Sequence, residues 1–235
     1  MKHLKFLLAI FLLASSLTSY AQVTTAFDKE IAPWHKKATM QCGMIKAKPI
    51  QAEKILSNLK ELKEGLKAIE NKYLDNPPSE YAKDPNWKSY FTTFEGNIEV
   101  LTFLIGEQKY AEAAIYCPAF CKTFGQMHKV NGTLDLTDVV FSWRMEMKNT
   151  NDMMLVGNVE GANKNSKVLE GIYNHVVAFK DKRNDKNFNE LFPDLQKAYL
   201  SWLKAFEQKD KDAMNKEMNK FMDAFPKPYM SSFLN

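Results

Sequence analysis

The stretch AEKILSNLKELKEGLKAIENKY, Ala52–Tyr73, decides the fold. Ile55, Leu56, Leu59, Leu62, Leu66 and Ile69 recur every three or four positions, so they line one face of a helix, and Lys and Glu fill the opposite face. The run stops before Asn76-Pro77-Pro78, where a helix cannot continue. Working outward, the same period is found almost everywhere. Ile31, Trp34 or His35, Ala38, Cys42 and Ile45 mark a helix that ends near Lys48-Pro49. Residues 87–105 and 109–128 read as two more, with Gly106 near the turn. After Asn131-Gly132-Thr133 the pattern begins again over residues 139–159, 167–182, 193–207 and 210–225, with Pro193 placed where it opens its helix.

The expectation is an all-α chain, an antiparallel helical bundle built as two tandem four-helix units, residues 22–131 and 132–235. Trp34 and Met44 are spaced as Trp143 and Met153 are, and Phe91/Phe192, Phe120/Phe221 and Phe124/Phe225 share one offset. A diverged tandem duplication is the expected reading of these matches, the alternative being the coincidences that a three-to-four-residue period produces between any two amphipathic helices. Trp34, Trp87, Trp143 and Trp202 are expected as core anchors between helices.

Residues 1–21 have the form of a secretory signal peptide. Lys2, His3 and Lys5 make a basic start, an apolar run covers residues 6–14, and Ser19-Tyr20-Ala21 places small residues at the cleavage point. That run is about half of the ~20 residues that a bilayer span needs, so no membrane span is expected and the location is periplasmic or secreted. Without Lys2 and Lys5, 30 basic residues stand against 28 acidic ones, a formal net charge of +2. Nucleic acid is not an expected partner, because the lysines are interspersed with acids and form no basic face.

Chemistry concentrates in Ala114-Ile115-Tyr116-Cys117-Pro118-Ala119-Phe120-Cys121-Lys122-Thr123-Phe124. Cys117 and Cys121 are one turn apart and His128 follows on the same stripe. If the first helix runs antiparallel to this one, His35 comes level with His128, and Cys42 with Cys121. In an oxidising compartment Cys42 would form a disulfide with Cys121 or Cys117. The other reading is a soft-metal site of Cys42, Cys117, Cys121, Met40 and Met44, because thiolate and thioether select copper(I). Met218 and Met222 occupy the corresponding places in the second half. Pro118 removes a helical hydrogen bond and should kink the segment. No nucleophile triad, zinc-protease helix or phosphate-cradling glycine loop is present, so an enzyme is less expected than a non-catalytic binding protein.

By its length, its proline-bearing loop between the second and third helices and the segment Glu107-Gln108-Lys109-Tyr110-Ala111-Glu112-Ala113, the region 27–130 resembles the soluble periplasmic four-helix-bundle cytochromes, the b-type form and its cytochrome c-prime relatives. The b-type proteins hold haem iron through a methionine near the start of helix one and a histidine near the end of helix four. His128 matches that histidine, whereas helix one offers Trp34 or His35. The Cys-x-x-Cys-His attachment motif of the c-prime form is not intact here, because Phe120 and Cys121 stand on its second cysteine and its histidine. The resemblance therefore implies haem held by His35 and His128 without covalent attachment. A disulfide-stapled structural or interaction module with no ligand is the alternative function.

Overall fold

The computed structural model describes residues 24–234, so the signal-peptide reading lies outside the described residues. These are helical throughout: α1 (Ala26–Lys46), α2 (Ala52–Tyr73), α3 (Trp87–Gly106), α4 (Tyr110–Tyr116), α5 (Ala119–Asn131), α6 (Leu136–Leu155), α7 (Val159–Arg183), α8 (Lys186–Glu207), α9 (Lys211–Ala224) and α10 (Pro226–Ser231). Successive long helices pack antiparallel, α1 on α2, α2 on α3, α6 on α7 and α8 on α9. No helix among the described residues is long and apolar enough to cross a membrane.

Local chemistry explains where the helices start. Thr25 and Asp28 form a reciprocal capping box at α1: the Asp28 N–H donates to Thr25 Oγ1 (3.0 Å) and the Thr25 N–H to Asp28 Oδ2 (2.9 Å). Asp135 and Asp138 repeat the device at α6, both bonds being 3.0 Å. Each box satisfies two amide donors that the first turn leaves unpaired. Asp185 caps α8 by accepting from the Phe188 N–H at 2.9 Å, so α8 starts well before Pro193. Pro193 therefore sits inside the helix instead of opening it, because a capped first turn outweighs one missing donor. The expected helix over 139–159 divides instead at Gly157 (φ 85°), where a left-handed residue ends α6. Cys117-Pro118 breaks α4 from α5 where Pro118 was expected to act.

Three turns share one hydrogen-bond pattern, the one after α6 through Asn158 N–H to the Met153 carbonyl (2.9 Å) and Gly157 N–H to the Met154 carbonyl (3.1 Å). After α3, the Lys109 N–H reaches the Leu104 carbonyl (2.8 Å) and the Gln108 N–H the Ile105 carbonyl (3.1 Å); after α8, Asp210 reaches Ala205 (3.0 Å) and Lys209 reaches Phe206 (3.0 Å). Gln108 and Lys209 both take φ 56° in the left-handed region. These are Schellman-type ends.

The core has two clusters. One runs from Phe27 to Met127 around Trp34, Phe94, Phe120 and Phe124; the other runs from Leu136 to Phe233 around Trp143, Tyr199, Trp202 and Phe221, and takes in Cys121. All four tryptophans are buried, as expected of anchors. Trp34 Nε1 donates to the Leu62 carbonyl (2.8 Å) and Trp202 Nε1 to Asn151 Oδ1 (2.9 Å), which fixes each indole inside its own cluster. The two clusters meet along α5, α6 and the C-terminal segment. There His35 packs edge-on against Phe233, with ring centroids 4.9 Å apart, and Thr137 Oγ1 donates to the Ser232 carbonyl at 2.7 Å.

Candidate functional site

The cysteines resolve first. Cys42 of α1 and Cys117, the cap of α4, are bonded, with sulfurs 2.00 Å and Cα atoms 5.6 Å apart. Cys121 stays a thiol, buried, accepting from the Tyr229 hydroxyl at 3.1 Å with Thr39 Oγ1 at 3.5 Å. Burial pushes its pKa up, so it is held as a neutral core thiol, not a nucleophile. The expected set of Cys42, Cys117 and Cys121 is therefore not a three-thiolate metal site, because a bridged sulfur has no thiolate to offer.

Those contacts also fix the α1/α5 register. Cys42 meets Cys117, Thr39 meets Cys121, and His35 stacks on Phe124 with ring centroids 3.7 Å apart. The expected register, His35 level with His128 and Cys42 level with Cys121, is one turn out, about 6 Å along the axis at ~1.5 Å per residue. The stacked pair of His35 and Phe124 and the bridge set the register together. His35 and His128 are consequently not a facing pair around a haem plane, since Phe124 covers one face of the His35 ring and Phe233 abuts it edge-on.

His128 faces acids instead. Its Nδ1 lies 2.7 Å from Asp138 Oδ2, and its Nε2 lies 3.6 Å from Asp28 Oδ1. Tyr81 donates its hydroxyl to Asp28 Oδ1 and lies 2.7 Å from Thr133 Oγ1. His128, Asp28, Asp135 and Asp138 are all buried. Burial by itself lowers the His128 pKa, but the charge and hydrogen bond of Asp138, backed by Asp135 and Asp28, outweigh it and raise it to about 9. Burial, then the charge of Asp138, pushes Asp135 up to about 7, while the pairing with His128 holds Asp138 low against its own burial. Burial pushes His35 down to about 3, so that ring is neutral. Two capping boxes, one at the start of each half, thus point their acids at one imidazolium.

On the outer side of Tyr229 lies a cleft of about 490 Å³ between the halves. Met40 and Met44 of α1 line it, with Met222, Phe225 and Met230 across from them and Arg144 and Lys46 at its polar side. The Arg144 guanidinium stacks 5.2 Å from the Phe225 ring centroid, and its buried Nε has no hydrogen-bond partner among the described residues. Met218 belongs to the second core cluster and Met222 alone of that pair reaches the cleft.

Sequence reasoning singled out His35, His128, Met40, Met44 and the cysteines but passed over Asp28, Asp135, Asp138 and Arg144. The acids carried a signal, an N-cap residue followed three positions later by Asp just before an apolar run. Arg144 carried none, since one arginine on a helix looks like a solvated charge. No family model, curated protein or solved structure matches this chain.

Proposed function

We propose that this is a non-catalytic, exported binding protein whose ligand is a small amphiphile, an apolar body with one anionic head, held in the methionine-lined cleft between the halves. One observation carries the reading: Arg144 is a half-buried cation whose Nε–H, buried without an acceptor among the described residues, lies at an apolar cleft of about 490 Å³. Ligand sites are concave, mostly apolar and about 300–1,000 Å³, with a few polar groups that fix orientation. Four thioethers make an adaptable wall, and a guanidinium with an Nε–H left without an acceptor invites an anion. We also read the halves as diverged copies of one four-helix unit, supported by the non-glycine residues Gln108 and Lys209 that share φ 56° at the ends of α3 and α8 and by the paired capping boxes. The cleft lies where the two copies meet.

The test is fluorescence titration with 1-anilinonaphthalene-8-sulfonate, competed by decanoate and by decanol. Saturable one-to-one binding displaced by decanoate better than by decanol is expected. Arg144→Gln should weaken it by roughly tenfold or more, the value of a charge-assisted hydrogen bond. Binding unchanged in Arg144→Gln rejects the amphiphile reading. So does tight copper(I) uptake that Met40→Leu with Met222→Leu abolishes, which would assign the thioethers to a soft metal. A folded chain that takes neither ligand leaves the disulfide-stapled module as its function.

A further inference from the structure

We propose that His128, Asp135 and Asp138 form a divalent-cation site, with zinc as the ion and Asp28 as the carboxylate that orients the histidine. One ligand atom from each of the three lies within 4.8 Å of the others. Neighbouring donors on a tetrahedral zinc at ~2.1 Å are about 3.4 Å apart, so side-chain rotation has to draw the widest pair in by roughly an ångström. Imidazole with carboxylates is a donor set that zinc accepts.

A second feature, on the far side of the imidazole from the proposed ligands, points the same way. His128 Nε2 is buried without a hydrogen-bond partner and faces Asp28 Oδ1 at 3.6 Å, just beyond bonding distance. If zinc takes Nδ1 in place of its proton, the neutral ring keeps its proton on Nε2 and donates it to Asp28. That is the carboxylate–histidine–metal arrangement by which proteins fix a ligating imidazole. Tyr81 already holds Asp28 in place from behind.

Charge makes the same case. Asp28, Asp135 and Asp138 are three buried carboxyl groups around one imidazolium, and no Lys or Arg among the described residues pairs with any of them. Uncompensated buried charge is costly, so the cluster is short of a cation. His35, whose Nε2 is also buried without a partner, stacks on the Phe124 ring whose centroid lies 5.9 Å from that of His128.

The experiment uses the full chain stripped with chelator, titrated calorimetrically with zinc and separately with manganese, with folding followed by circular dichroism. One zinc equivalent that survives gel filtration is expected, bound more tightly than manganese. Asp135→Asn is the informative variant, because Asn caps a helix as well as Asp but offers no anionic ligand; its zinc affinity should fall at least tenfold while the helical signal is kept. Asp28→Asn should weaken binding by roughly 10–100-fold, the usual cost of losing an outer-shell partner. Cobalt(II) in the site should show weak visible bands and no thiolate charge-transfer band. A folded, stripped chain that binds no zinc overturns the proposal, as does zinc bound equally well by Asp135→Asn.

Discussion

At the scale of single residues, His128 of α5 and His35 of α1 are shifted in opposite senses. In chelator-treated protein the folded pKa of His128, about 9, lies above its ordinary value of 6.5. Its contribution to stability is therefore complete below pH 6.5 and is lost as pH rises through 9. The melting temperature should fall between pH 7 and 9.5, at up to ~1.4 kcal/mol per pH unit for one group, and that slope should flatten in His128→Gln. Scanning calorimetry across that range is the check. His35 has a folded pKa of about 3, below the ordinary 6.5, so its effect is complete above pH 6.5 and is lost as pH falls towards 3. Because His35 stacks on Phe124 with one nitrogen unsatisfied, His35→Phe should lie within about 1 kcal/mol of the wild type at pH 8, as a shape-conserving core change does. At pH 5 it should be the more stable of the two in urea unfolding. Asp138→Asn strands the imidazolium and should cost on the order of 3 kcal/mol at pH 7.

At the scale of elements, the disulfide and the turns dominate. Cys42 and Cys117 close a loop of 75 residues, for which the loop-closure model gives about 4 kcal/mol, though measured bridges commonly give ~2–4. Cys42→Ser should lose that amount under oxidising conditions and nothing in reductant, where both proteins lack the bridge. Denaturant titration in the two buffers separates the cases. Gln108 and Lys209 end α3 and α8 at φ 56°, where a side chain costs ~1–2 kcal/mol that glycine does not incur. Gln108→Gly and Lys209→Gly should each stabilise the fold by about 0.5–1 kcal/mol after the entropy of glycine is counted. Equal gains at both turns are expected from their identical hydrogen-bond patterns.

At the scale of the whole molecule, the two halves are tied by buried polar contacts across the seam, His128 to Asp138 and Tyr229 to Cys121, and by His35 packed edge-on against Phe233. Thr133 and Asp135 of the connecting segment are themselves buried. The chain should unfold in a single calorimetric transition and resist thermolysin, which cuts before apolar residues such as Leu134 and Leu136, between residues 130 and 136. Asp138→Ala, by cutting the central tie, should split that transition or expose the segment to cleavage. A wild type that already shows two transitions would mean the seam contributes little to stability.

What the residues determined by themselves was the helical class, most helix faces, the break at Pro118, the four tryptophan anchors and the prospect of a cross-helix bridge. All of these follow from local rules: a 3.6-residue period, a missing proline donor, and bulky apolar side chains that have to be buried. The start of α8 was legible too, in Asp185, but Pro193 hid it. The register of α1 against α5 was not legible, because antiparallel helices with apolar stripes fit one another at any whole-turn shift. The ring of Phe124 under His35 and the choice of Cys117 over Cys121 decide it only in three dimensions. The same holds for the site. Asp28 and Asp138 lie 110 positions apart as ordinary capping residues, and only the folding of one half onto the other brings both to His128 and leaves Arg144 at the mouth of a cleft.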